Sequence, residues 1–332
     1  AGAASGVAID GYLKNAIVFR DANNNSTWDH EAFIDTNNNG IWDTGETFTD
    51  TNADGKWTAE TFVITDAQGN WSGLGGSGKI VLTSLFNGNG ENLTTDISTG
   101  KAFTQVYSAP EGSTVVNPLT TMITTLVDKG LTVADAQTKV AGSLGLDTSL
   151  SLVTLDPIAS ATSSTTTAAK DAALAVEKAN IQIASILSVA TTTATSVDKA
   201  QTTTSTGNAV FDALATTIQN TGTGQTVSLA DSTVIKAVFD GVSNTVGAEF
   251  STDIQNQSTT LIDSLASINN AIGSVTSGTD VKTALTQIVS TQLVAQQDLV
   301  NAVQTAVTNN TTVNTSTFTG ANLVTSIDTA AQ

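Results

Sequence analysis

The chain has 332 residues, 39% of them hydrophobic, which is enough for two domains with real cores and too apolar for a disordered chain. A formal net charge of −18 argues against nucleic acid or an anionic membrane as partner, because no basic patch is there to release counterions from phosphates, and it points to cations. Cysteine is absent, so neither disulfides nor thiol chemistry are available, which fits the cytosol or a bacterial exterior and not a small disulfide-stapled secreted domain.

The N-terminus, Ala1-Gly2-Ala3-Ala4-Ser5-Gly6, has neither methionine nor an apolar signal core, as expected of a mature product whose signal peptide has been removed. No run approaches eighteen apolar residues, so no transmembrane span is expected. Residues 7–20 alternate apolar and polar positions around Asp10-Gly11 and predict a β-hairpin.

From Asp21 to Glu60 one acidic pattern occurs three times, its starts fourteen and fifteen residues apart, with nine acidic residues against Lys56 alone. A hard cation such as Ca2+ takes oxygens from loop positions 1, 3 and 5, a carbonyl at 7, a water-linked group at 9 and a bidentate Glu at 12, around a glycine turn at 6. The middle copy meets the whole pattern: Asp35, Asn37, Asn39, Gly40, the Ile41 carbonyl, Asp43 and Glu46. The first offers Asp21, Asn23, Asn25, Thr27 and Asp29, but Ser26 replaces the turn glycine and Glu31 falls at position 11. The third offers Asp50, Asn52, Asp54, Gly55 and Lys56, with Thr58 at position 9 and Glu60 again at 11. The outer copies are therefore expected to be weaker sites, or to share ligands between loops; together the three would hold one to three Ca2+ ions. Asn-Gly and Asp-Gly clusters also form plain turns, but turns alone do not explain a Trp at position 8 of every copy (Trp28, Trp42, Trp57) or a Phe soon after each (Phe33, Phe48, Phe62). The tryptophans are expected to form a small core beneath the loops.

Strands are predicted at 61–65, from Trp71, at 79–85 and at 102–108, with a turn at Asp66–Asn70. The stretch Gly73–Lys79 imitates a phosphate-binding loop, but Ile80 stands where a hydroxyl is needed and a β-branched run follows where a helix should begin, so it reads as a hairpin connection. From Val115 the apolar period becomes helical: Asn117 caps and Pro118 opens a helix that Gly130 ends, and Val133–Leu144 forms the next. Further helices are predicted at 167–192, 208–220, 230–245, 248–272 and 279–308. The fold class is therefore α+β in two domains: 1–113, an antiparallel β-sandwich with calcium loops inserted at 21–60, and 114–332, an α-helical bundle. Residues 117–332 carry sixteen acidic and seven basic side chains, few against the ordinary share of about a quarter, and Thr, Ser, Asn and Gln fill the polar faces. Such faces suit packing against other subunits, or alternatively a halotolerant or glycosylated surface.

The run AIDGYLKNAIVFRDANNN, the D-x-N-x-N-G loops, the TDAxGNW turn, APEGSTVVNPLTTMITTLV and LGLDTSLSLVTLDPIA together resemble segments of large bacterial secreted surface proteins and adhesins over residues 7–160. The resemblance implies export, calcium stabilisation and a structural or adhesive role, with a β-sandwich bearing EF-hand- or dockerin-like loops ahead of a helical stretch.

Catalysis is not expected. His30 is the single histidine, lies between Asp29 and Glu31, and reads as a solvated loop residue with no nucleophile to serve. The expected function is an exported, calcium-binding, self-assembling subunit of an extracellular filament, surface layer or biofilm matrix, a homo-polymer in which a strand such as Val7–Ile9 could pair with a neighbour's sheet edge. The alternative is a cell-surface adhesin or glycan-binding module whose tryptophans stack on sugars; an exposed row of tryptophans would favour it.

Overall fold

A computed structural model describes residues 2–278 and 280–332, with side chains at all of these except 248–259. The chain divides into two compact units, Ala1–Thr120 and Thr121–Gln332. The first holds small, mostly antiparallel sheets and the second is helical.

The N-terminal unit contains β1 (Ala4–Ala8), β2 (Leu13–Lys14), β3 (Ala16–Arg20), β4 (Phe62–Ile64), β5 (Asn70–Leu74), β6 (Ile80–Ser84), β7 (Thr95–Asp96), β8 (Lys101–Ala102), β9 (Tyr107–Ala109) and β10 (Val115–Val116). They form three sheets, ordered β10-β1-β5, β2-β7-β8 and β4-β3-β6-β9. All pairings are antiparallel except β1 with β10, where Val7 sits opposite Val115.

The hairpin expected over 7–20 is reduced to one bridge, Ile9 with Tyr12, because its arms belong to different sheets. Two local features force the change. A side chain at Gly11 would meet Asp96 Oδ1 at 2.1 Å, so the β7–β8 segment crosses where only glycine fits. Asn15, at φ 55°, then breaks β2 from β3. β1 is central in its sheet, so both edges of Val7–Ala8 are already paired within the chain.

The strand expected over 102–108 is also broken. The Phe103 carbonyl accepts from the Ser84 hydroxyl at 2.5 Å and the Asn92 amide at 2.6 Å, taking it out of any ladder, and pairing resumes only at β9.

β3 is buried along its whole length, as a central strand covered on both faces must be. On one face Ile17, Phe19, Val81 and Leu85 pack with Trp28, so the first acidic loop is anchored directly to the sheet. Arg20, at the end of β3, donates to the carbonyls of Gly78 at 2.6 Å and Gly75 at 3.3 Å. The glycine-rich stretch is thus a connection between β5 and β6 that presents carbonyls to a cation, the reverse of a phosphate cradle.

The C-terminal unit comprises α1 (Pro118–Asp128, begun in the first unit), α2 (Val133–Ser143), α3 (Pro157–Ser163), α4 (Thr167–Val197), α5 (Thr203–Asn220), α6 (Ser232–Val246), α7 (Ala248–Gly273), α8 (Val281–Leu293), a π-helical turn (Val294–Leu299), α9 (Val300–Asn309) and α10 (Gly320–Ala330). Asn117 does cap α1, accepting the Thr120 N–H at 2.8 Å while Thr120 Oγ1 accepts the Asn117 N–H at 2.9 Å. Thr132, Asp156, Thr166, Asp231 and Asp280 cap α2, α3, α4, α6 and α8. The single helix expected over 279–308 is interrupted by the π turn.

α4 is the axis of this unit, packed against α3, α5, α7, α8 and α9. By length and hydropathy it is long and apolar enough to cross a membrane, and 78% of its most apolar window is buried within the protein.

Candidate calcium-loop site

The segment between β3 and β4 is one long hairpin. Its legs are joined by the β3–β4 pairing at Phe19 and Phe62, by a bridge between His30 and Ala59, and by another between Phe33 and Phe48. The second loop forms the tip. The first and third bulge from opposite legs at the same level.

Each loop is wound by the same hydrogen bonds. The leading aspartate accepts N–H groups from positions 5 and 6: Asp21 from Asn25 and Ser26, Asp35 from Asn39 and Gly40, Asp50 from Asp54 and Gly55, all between 2.8 and 3.2 Å. The side chain at position 3 (Asn23, Asn37, Asn52) accepts the position 5 N–H, and that at position 5 (Asn25, Asn39, Asp54) accepts the N–H of Thr27, Ile41 or Lys56 at position 7. Positions 4 and 6 are left-handed in all three, at Asn24 and Ser26, Asn38 and Gly40, Ala53 and Gly55. Ser26 therefore adopts the glycine conformation, φ 59°, at a cost of roughly 1–2 kcal/mol.

The closing glutamates separate the loops. In the second, Glu46 accepts the N–H of Thr36 (position 2) at 2.7 Å and of Asp43 (position 9) at 3.0 Å, while Trp42 Nε1–H donates to the Glu46 carbonyl at 3.0 Å. In the first loop the same three bonds are made by Glu60: from Ala22 N–H at 2.7 Å, Asp29 N–H at 3.2 Å and Trp28 Nε1–H at 3.3 Å. In the third they are made by Glu31: from Thr51 N–H at 2.6 Å, Thr58 N–H at 3.0 Å and Trp57 Nε1–H at 2.8 Å. The outer loops have exchanged glutamates.

A displacement from position 12 to 11 has a direct consequence on an extended leg, where successive side chains point to opposite sides. It turns the glutamate from its own loop to the one across the hairpin. Glu60, which sequence order places in the third loop, thus closes the first, and Glu31, at position 11 of the first, closes the third. The signal was present in the shared offset of both.

Hydrogen bonding holds several of these carboxyls ionised. The Thr51 hydroxyl, with further donors, lowers the Glu31 pKa against an opposing effect of burial, and the Asp43 N–H leads the donors that lower Glu46. At Asp35 burial pulls upward but is outweighed by the N–H groups of Gly40, Gly88 and Asn39, so the net shift is down. Asp21 is instead paired with Lys79 at 3.3 Å, a built-in cation that the other two leading aspartates lack among the described ion pairs.

The side chains at positions 3, 5 and 9 converge. Asn37 and Asn39 both donate to Asp43 Oδ2, at 2.8 and 2.7 Å, and Asn23 and Asn25 to Asp29 Oδ2, at 2.7 and 2.9 Å; in the third loop Asn52 donates to Thr58 Oγ1 at 3.1 Å. Among the described residues no three acidic, histidine or cysteine side chains gather closely enough to hold a metal by themselves. An ion here would depend on amide and backbone oxygens beside the carboxylates, a mixed all-oxygen donor set of the kind calcium takes.

Beneath the loops lies an aromatic cluster. Trp42 stacks on Trp57 with centroids 5.6 Å apart, Trp57 meets Trp28 and Phe33 edge-on, and Trp28 lies 4.6 Å from Phe62. Trp28 is buried and Trp42 and Trp57 are half-buried. His30 is exposed, 4.4 Å from the Trp28 ring, and its Nδ1 lies 3.0 Å from the Glu31 carbonyl. An open cleft of about 450 Å³ is lined by residues 29–32, 51–52 and 58–60 of the two outer loops. Comparison with protein-family models, with curated proteins and with solved structures finds no match to this chain.

Proposed function

We propose that the chain is an exported calcium-binding structural protein, a self-assembling subunit of an extracellular filament, surface layer or biofilm matrix. Its N-terminal sheets would form a small β-sandwich firmed by ions in the loops, ahead of a helical bundle. The observation that carries this reading is that all three loops are wound and closed by one hydrogen-bond pattern, even where the closing glutamate comes from another part of the chain. Mere turns need not share a closing group.

Asp21, Asp35 and Asp50 would hold the ion at position 1, with the side chains at 3 and 5, the carbonyls of Thr27, Ile41 and Lys56, and Glu60, Glu46 and Glu31 in turn. A bound ion supplies positive charge to a segment in which nine acidic groups face one lysine. Extracellular calcium modules commonly bind at ~10^-4 to 10^-3 M, so such a fold would tighten only on leaving the cell. For assembly, the support is a pair of exposed apolar side chains flanking the second loop, Ile34 at 61% and Phe86 at 53% exposure.

Isothermal titration of the chelated protein with CaCl2 tests the calcium reading, and heat corresponding to one to three ions per chain is expected. Electron microscopy with and without chelator tests assembly; a monodisperse monomer in millimolar calcium would contradict it.

A further inference from the structure

We propose that the first and third loops are one cooperative two-ion unit, coupled through their exchanged glutamates, while the second loop binds independently. The proposal rests on the calcium reading above and adds how the ions act on one another.

Glu60 closes the first loop yet belongs to the leg that carries the third, two residues beyond Thr58 at its position 9. Glu31 closes the third loop yet follows Asp29 of the first by two residues. Between them the legs are tied by Glu31 N–H to the Thr58 carbonyl and Glu60 N–H to the Asp29 carbonyl, both at 2.9 Å. An ion that engages Glu60 in the first loop therefore fixes residues 58–60, the arm from which the third loop is built. The reverse holds for Glu31. Each ion removes part of the ordering that the other would otherwise have to supply, and by linkage the benefit is reciprocal, typically about 5- to 150-fold in affinity.

The second loop lacks this connection. Its glutamate is its own, its stem closes on itself through Ile34 N–H to the Thr47 carbonyl at 2.8 Å, and its outside brace is Gly88 N–H to Asp35 at 2.8 Å. Three ions thus divide into a pair and a single.

The backbone amides of Ser26, Gly40 and Gly55 each donate to the leading aspartate of one loop and report on that loop alone. Their NMR shifts are followed during titration of the full chain with CaCl2. In the wild type, Ser26 and Gly55 should move together along one isotherm steeper than single-site binding, and Gly40 along a single-site curve of its own. Glu31→Gln should raise the midpoint at Gly55 by about ten-fold or more and that at Ser26 by less; Glu60→Gln should do the opposite. Glu46→Gln should shift Gly40 alone. If Glu31→Gln does not fold, Glu31→Asp, which keeps the charge and shortens the reach, carries the same comparison.

Separate single-site curves for Ser26 and Gly55 in the wild type, or a Glu31 variant that acts first on Ser26, overturn the coupling and leave the calcium reading intact. No movement of any of the three amides in millimolar CaCl2 overturns both.

Discussion

Glu31 finds its hydrogen-bond donors twenty or more residues along the chain and Glu60 more than thirty, whereas Ser185, Thr191 and Thr193 of α4 turn their hydroxyls to carbonyls only four residues back in the same helix. All three hydroxyl residues are fully buried. The outer loops and α4 thus satisfy their polar groups in opposite ways. In the two outer loops of the N-terminal unit the contacts are charged and long-range, so each loop is held by the leg that carries the other. Along α4 these hydroxyl bonds are neutral and local, so a Thr-rich helix can enter a core by bonding to its own backbone, while between segments of the unit Lys178 Nζ donates to the Gly273 and Val275 carbonyls and the Asn269 amide to those of Gln182 and Leu229. This answers a puzzle in the composition: part of the hydroxyl content of the helices lies inside the bundle, where no second subunit is needed to cover it.

Chelation of divalent ions should act on the two units most unequally. All four tryptophans, at 28, 42, 57 and 71, lie in the N-terminal unit, so their fluorescence follows it, while circular dichroism at 222 nm follows the helices. At ten times Kd each bound ion would add about 1.4 kcal/mol to stability, and three together would shift the melting of a small unit by on the order of ten degrees or more. EDTA should lower the tryptophan transition by that amount and leave the helical transition in place.

The next largest effect distinguishes two glycines at the same loop position. A side chain at Gly40 would meet Leu85 and the Phe86 carbonyl at 2.7 Å as well as holding φ at 82°; at Gly55 only the backbone, φ 73°, objects. Gly40→Ala should cost about 2–4 kcal/mol and Gly55→Ala about 1 kcal/mol in urea melts followed by fluorescence. Ser26→Gly should go the other way, stabilising the unit by up to about 1 kcal/mol, since it relieves a left-handed serine.

A matched pair sharpens the contrast between the units. Thr51→Val removes a hydroxyl that donates to Glu31 at 2.8 Å and should cost about 1–2 kcal/mol, whereas Thr191→Val removes one that donates to the Leu187 carbonyl of its own helix at 2.7 Å and should stay within about 1 kcal/mol.

Acid gives the finest distinction. Glu31 and Glu46 titrate below their ordinary 4.5 in the folded chain, so the stability they lend is complete above that value and is lost as pH falls beneath it. In the helical unit the Thr233 and Thr283 hydroxyls lead the donors that lower the caps Asp231 and Asp280 from 3.8, and their contribution is lost only below that lower value. On acidification the tryptophan signal should therefore begin to fail before the helical one.

Much of the molecule was legible in the sequence because its signals are local. The loop winding follows from Asp, Asn and Gly at fixed offsets, and α1 from Asn117 and Pro118. What escaped was non-local. Neither the exchange of Glu31 and Glu60 nor the pairing of Asp21 with Lys79 can be read without knowing that the loops face each other across one hairpin. The expected strand over 102–108 failed because Ser84 and Asn92 claim a carbonyl from distant positions. α3 carried a readable sign in the Asp156-Pro157 pair, a cap followed by a first-position proline, while α10 begins at Gly320 with no side-chain cap to announce it.

The most direct test of the loops as calcium sites is a crystal structure grown in millimolar CaCl2, with ions located by anomalous scattering. The account predicts an ion in each loop, with Glu60 at the first, Glu46 at the second and Glu31 at the third. Empty loops under those conditions, with their carboxylates turned to bulk solvent, would contradict it.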